Sequence, residues 1–133
     1  MPEVDKEKLA VVAKKHGLAL VVLFGSRARG DAREKSDVDI GFLTPRTIDY
    51  RERYEVTEAF IMIFKNRNME LVDLAHVPPE VNRQVVNEGV VLFEARSGVF
   101  DRFSVNAYRR YVETKPLREH RYQYVKSFLH AYA

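Results

Sequence analysis

Asp37 and Asp39 stand one residue apart in Ser36-Asp37-Val38-Asp39-Ile40, where polar and apolar side chains alternate. Such alternation predicts a strand, here running from Asp37 to Leu43 and closed by Pro45. Its period of two puts Asp37, Asp39 and Gly41 on one face and Val38, Ile40 and Phe42 on the other. The two acidic residues would lie about 7 Å apart at their Cα atoms, so their carboxylates can converge. Two ionised acids that close, in a poorly hydrated place, repel each other unless a cation compensates them. A hard divalent ion with oxygen ligands suits them, and Mg²⁺ commonly takes one or two carboxylates together with substrate phosphates. By itself an Asp-x-Asp pair reads as two surface aspartates on an exposed strand.

What precedes the pair changes that reading. Ten residues before Asp37 the chain carries Gly25-Ser26, where the apolar run Leu18 to Phe24 ends. A buried strand that ends in a glycine-containing turn offers free backbone N–H groups to an anion. Ser26 adds a hydroxyl donor, and Arg27, Arg29, Arg33 and Lys35 surround the turn with positive charge. A phosphate-friendly turn followed by a metal-friendly pair describes a site for a metal-bound nucleoside triphosphate. Glu70 is a third acid, at the start of a later strand that runs from Met69 to His76. A third carboxylate would complete a two-metal site, in which one ion activates an attacking hydroxyl and the other steadies the leaving pyrophosphate. Asp73 falls on the opposite face of that strand, which makes Glu70 the better ligand.

The remaining pattern supplies the elements that hold these residues. Asp5 can cap a helix that runs to about His16 and ends at Gly17, with Leu9, Val12 and Ala13 facing inward. Leu18 to Phe24 is continuously apolar and β-branched, as in a strand buried on both faces. Gly25 to Asp31 reads as a turn with one helical turn, and Tyr50 to Lys65 as an amphipathic helix. Pro78-Pro79 opens a helix that ends at Gly89, and Val90 to Phe93 is a fourth strand. From Val99 the pattern is helical to the end, with a break near Pro116. Helices alternating with strands in one domain predict an α/β (α+β) fold, a small mixed sheet with helices packed on it. Residues 1–97 would form the catalytic domain and residues 98–133 a helical extension of the same compact unit.

Composition narrows the function classes. Apolar residues make up 46% of the chain and charged residues 31%, the balance of a globular domain rather than a disordered one. The chain has no cysteine, which excludes disulfides, thiolate metal sites and a cysteine nucleophile. The N-terminus lacks the pattern of a signal peptide, as expected of a cytoplasmic protein. Net charge is only +3, and the second basic cluster, Arg109 to Lys126, reads as a solvated helix face rather than a nucleic-acid stripe. His16, His76 and His130 show no metal-ligand spacing, and His120, between Arg118 and Arg121, reads as a surface residue. The aromatic residues from Phe100 to Tyr132 could pack back on the sheet or form an interface with a partner.

Taken together, Leu23-Phe24-Gly25-Ser26-Arg27-Ala28-Arg29-Gly30-Asp31-Ala32 and Ser36-Asp37-Val38-Asp39-Ile40 resemble the signature of the minimal nucleotidyltransferases (MNT), in the DNA polymerase β-like superfamily. The resemblance continues through Glu70-Leu71-Val72-Asp73-Leu74 and Val85 to Phe93, and so covers about residues 5–95. It implies a polymerase β-like fold, ATP as substrate and two Mg²⁺ ions held by Asp37, Asp39 and Glu70. It also implies that the Gly25-Ser26 turn binds the triphosphate, with Arg27 or Arg29 in contact with it. The family usually has aspartate where this chain has Glu70. Small members of the family form toxin–antitoxin pairs with HEPN-domain ribonucleases, which they neutralise by binding, by transferring AMP to a tyrosine, or both. The resemblance therefore implies an antitoxin with a HEPN partner. A purely stoichiometric antitoxin, and a transferase acting on a small molecule or RNA, are the alternatives. The latter lacks a visible acceptor domain.

Overall fold

The structure, a computed structural model, describes residues 4–30 and 37–131. Its elements run α1 (Lys6–Lys15), β1 (Leu20–Phe24), α2 (Ser26–Arg29), β2 (Val38–Leu43), α3 (Tyr50–Phe64), β3 (Met69–Asp73), α4 (Pro79–Glu88), β4 (Val90–Glu94), α5 (Val99–Glu113) and α6 (Lys115–Ala131). Local signals explain most of these boundaries. Asp5 caps α1 by accepting the Lys8 N–H at 3.1 Å, and Asp49 caps α3 by accepting the Glu52 N–H at 2.8 Å. Lys65 ends α3 in a left-handed conformation.

The strands form one mixed sheet in the order β3-β2-β1-β4. β1 pairs antiparallel with both β2 and β4, while β2 and β3 are parallel and joined through α3. Every residue of β1 is buried. Val21 and Leu23 pack on one side with Leu9 and Ala13 of α1 and Val56 and Phe60 of α3. Leu20, Val22 and Phe24 pack on the other with Val85 of α4 and Phe103 of α5. The continuous apolar run in the sequence is thus the central strand of a helix–sheet–helix sandwich, covered on both faces.

Three strands are shorter than the apolar pattern suggests. Leu18 belongs to the cap of α1, where its N–H bonds the Ala13 carbonyl. Asp37 lies just before β2, because the parallel ladder starts with Val38 opposite Met69 and offers Asp37 no partner. β3 stops at Asp73, whose carboxylate accepts the Ala75 N–H at 2.9 Å and meets His76 Nδ1 at 2.9 Å, turning the chain.

The aromatic tail divides in two. α5 buries Phe103 and Ala107, and Phe100 packs beside them. α6 buries nothing and leaves Tyr122, Tyr124, Phe128 and Leu129 more than half exposed. Its first turns are held by Tyr111, whose ring lies between the guanidinium groups of Arg83 at 4.4 Å and Arg118 at 3.7 Å.

Candidate active site

The sheet register assembles the site. Phe24 on β1 faces Asp39 on β2, and Asp39 faces Glu70 on β3. The three positions form a row across one end of the sheet, and Gly25 follows directly after Phe24. Asp39 and Glu70 thus become neighbours although 30 residues separate them in the chain. On β2, Val38, Ile40 and Phe42 fill the core toward α1 and α3, which leaves Asp39 on the opposite face, as its alternation requires.

Gly25 is fixed by two constraints. Its backbone sits at φ 77° and ψ −156°, a region essentially reserved for glycine. A Cβ placed there would also lie 2.2 Å from Oδ2 of Asp39. The Asp39 carboxylate therefore rests against the backbone of the Gly25-Ser26 turn, and the two halves of the sequence motif meet in space.

The electrostatics of this corner are unfavourable as they stand. The Asp39 carboxyl is pushed above its ordinary range, first by burial, then by the charge of Glu70 and a hydrogen bond with it, and then by the charge of Asp37. Arg29 pulls the other way. A hydrogen bond between two carboxyl groups needs a proton that two carboxylates lack, so the pair is matched for something positive between them. Asp37 and Glu70 are exposed, so the corner opens to solvent.

This donor set fits magnesium. It is all oxygen, it carries excess negative charge, and it is open on one side for substrate phosphates. Among the described residues no group of three or more histidine, aspartate or glutamate side chains is gathered closely enough to hold a metal ion, so Asp37, Asp39 and Glu70 do not form a ready three-ligand set. Asp73, bound up in its turn with Ala75 and His76, stands apart from the row.

Of the predicted phosphate-contacting residues, Gly25, Ser26 and Arg29 lie at this corner. Arg29 closes α2 and donates from Nη1 to Oε2 of Glu88, at the end of α4, at 2.7 Å. Arg33, Lys35 and the Arg27 side chain lie outside the described residues. Glu88 escapes a reading of the sequence because nothing in spacing connects positions 59 residues apart.

This arrangement, a mixed sheet with a glycine turn and paired acids at one end, is that of a nucleotidyltransferase. Residues 7–97 match the sequence model of the family "Polymerase beta, Nucleotidyltransferase", and the chain belongs to that family. It is 27% identical to the protein adenylyltransferase MntA of Aphanizomenon flos-aquae (strain 2012/KM1/D3), over 96% of this chain and 91% of the relative. Among solved structures it is similar to a chain of a toxin–antitoxin complex with AMP-PNP. That match has a TM-score of 0.78 and 25% identity, over 92% of this chain and 99% of the other. A complex of tri-AMPylated HEPN toxin with MNT antitoxin from Shewanella oneidensis contains a chain of the same fold. There the TM-score is 0.71 and identity 24%, over 91% of this chain and 95% of the other.

Proposed function

We propose that this protein transfers AMP from ATP to a tyrosine hydroxyl of a HEPN-domain toxin and so neutralises it. The observation that carries the proposal is the contact of Asp39 with both the Gly25 turn and Glu70 at one end of the sheet. Similarity to a protein adenylyltransferase along almost the whole chain supports protein as the acceptor. The similar chain crystallised in a toxin–antitoxin complex with AMP-PNP supports ATP as the donor.

In this reading the Gly25-Ser26 turn, with Arg27 and Arg29, holds and orients the triphosphate. Asp37, Asp39 and Glu70 would hold magnesium, two ions in the full site, which when bound would supply charge neutralisation for the transfer. The acceptor oxygen attacks the α-phosphorus, the bond from the α-phosphorus to the bridging oxygen of the β-phosphate breaks, and pyrophosphate leaves. Glu70, the more exposed acid of the facing pair, takes the acceptor's proton. Positioning and electrostatics carry most of the rate, because the protein forms no covalent bond to substrate. A reaction that draws on ATP suits the cytoplasm, and no helix among the described residues is long and apolar enough to cross a membrane.

The test is incubation of the protein with labelled ATP, Mg²⁺ and a HEPN-domain toxin. Label is expected on the toxin with the wild type and not with Asp39→Ala. Neutralisation without label, unchanged by Asp39→Ala, would sink the enzymatic reading.

One observation favours a second reading, neutralisation by stoichiometric contact. α6 buries none of its residues and presents Tyr122, Tyr124, Phe128 and Leu129 to solvent, which suits an interface. Truncation after Thr114 removes α6 and leaves the α5 segment whole. The second reading expects that truncation to abolish neutralisation while Asp39→Ala leaves it intact.

A further inference from the structure

Glu88 is a poor choice for the place it occupies. It is the last residue of α4, where the unpaired carbonyls of the helix disfavour an anion, and the last turn carries no basic residue to offset it. Its side chain is only 20% exposed, and a 2.7 Å bond from Arg29 offsets its charge. The end of α4 is also pinned. A Cβ at Gly89 would lie 2.6 Å from Cγ1 of Val22 on β1 and 2.3 Å from the Val85 carbonyl oxygen. Glu88 is therefore delivered by a helix end pressed on the central strand, and cannot drift with α2.

Arg29 has the opposite character. It closes a single-turn helix between the Gly25 turn and the segment that leads to Asp37, and its side chain remains 45% exposed. Its guanidinium lies near enough to Asp39 to favour the ionised form of that carboxyl. A guanidinium has five donors on more than one edge, so a single bond to Glu88 does not use them all.

We propose that Glu88 is a positioning residue, which holds the Arg29 guanidinium at the mouth of the acidic corner to receive the triphosphate of ATP. This rests on the nucleotide-transfer reading above. An anchored arginine loses less rotamer freedom when the phosphates arrive, so the contribution appears as affinity for ATP. Because Glu88 works through Arg29, the two residues form one unit, and their effects on ATP binding overlap rather than add.

The experiment is a double-mutant cycle on the full chain, with ATP and Mg²⁺ as the probe and calorimetric Kd as the readout, beside thermal melts. Glu88→Gln keeps the shape of the side chain and removes its charge at a helix end that disfavours it. It is expected to leave the melting temperature unchanged and weaken ATP binding by about tenfold, the size of one charge-assisted hydrogen bond. Arg29→Met should weaken binding at least as much, and the double variant no more than Arg29→Met alone. Glu88→Asp should recover part of the loss. A Glu88→Gln variant that melts earlier but binds ATP like the wild type would overturn the proposal, as would independent, additive losses. If Glu88→Gln does not fold, the ratio of Glu88→Asp to wild type, with and without Arg29→Met, decides the same point. Wild-type protein that binds ATP but transfers no AMP would sink the transfer reading and leave this cycle able to decide. Wild-type protein that binds no ATP would overturn both.

Discussion

Two clusters of charge stand at opposite ends of β2, and they are built in opposite ways. Beyond its C-terminal end, Arg46 donates to both carboxylate oxygens of Glu52, at 2.7 and 2.6 Å, and to the His16 carbonyl at 2.8 Å. His16, nearly buried, meets the same Glu52 carboxylate through Nδ1 at 3.0 Å. Every charge there has a partner, and these bonds hold the Glu52 carboxyl down at about 2. At the N-terminal end, Asp39 faces Glu70 with Asp37 nearby, and its carboxyl is driven up by burial and like charge. The first cluster ties α1, the loop after β2 and α3 together. The second stores unfavourable electrostatics that a bound cation would relieve. Within one small domain, compensated charge marks the scaffold and uncompensated charge marks the candidate site.

The pH dependences of the two clusters run in opposite directions. A carboxyl whose folded pKa is lowered contributes stability above its ordinary value, and that contribution fades as pH falls. For Glu52 the window runs from 4.5 down to about 2. A carboxyl whose folded pKa is raised, as for Asp39 without magnesium, contributes stability at low pH that is lost as pH rises past its raised value.

The sharpest break of the contrast is Asp39→Asn. It should lower AMP transfer by at least about a thousandfold, as removal of a charge-stabilising group at the reacting centre does. Its melting temperature without magnesium should match or exceed that of the wild type near neutral pH, because the repulsion with Glu70 is gone. Next in size is Gly25→Ala, which drives a methyl group into the Asp39 carboxylate. Displacement of that ligand by even about 1 Å should cost about a hundredfold in transfer, read in the same labelled-ATP assay. Glu52→Gln should do the reverse of both. It should lower the melting temperature and leave the specific activity of the folded protein unchanged. The difference in melting temperature from wild type should shrink as pH falls from 4.5 towards about 2, where first the unfolded and then the folded carboxylate of the wild type is protonated. The smallest expected effect is from Glu70→Asp, which restores the residue usual in the family. A change in kcat of a few-fold, about the consequence of moving one ligand by a methylene, would show how far the longer side chain has been accommodated.

Much of this contrast was legible in the sequence, though unevenly. The alternation of Asp37 to Phe42 correctly gave the face of Asp39, and the run from Leu18 to Phe24 gave a strand covered on both sides, which starts two residues later at Leu20. Glu70 was identified by its place in its own strand, and the β2–β3 register brings it to Asp39. What could not be read were the features set by tertiary pairing. Asp37 falls outside β2 because the ladder begins one residue later, and β3 stops at Asp73 because that carboxylate binds the following backbone. The Glu88–Arg29 and Glu52–His16 bonds join distant positions with no periodic signal between them. The aromatic tail carried two readings in its composition, and the chain divides between them. Phe103 is in the core, while Tyr122 and Tyr124 are in solvent.

The central claim is that the acidic corner transfers AMP to a protein partner. Intact-mass measurement of the HEPN protein, after incubation with this protein, ATP and Mg²⁺, tests it most directly. The account predicts toxin that gains one or more whole AMP units and loses its ribonuclease activity, with neither change when Asp39→Asn replaces the wild type. Toxin of unchanged mass that is nonetheless silenced, equally by wild type and Asp39→Asn, would contradict it.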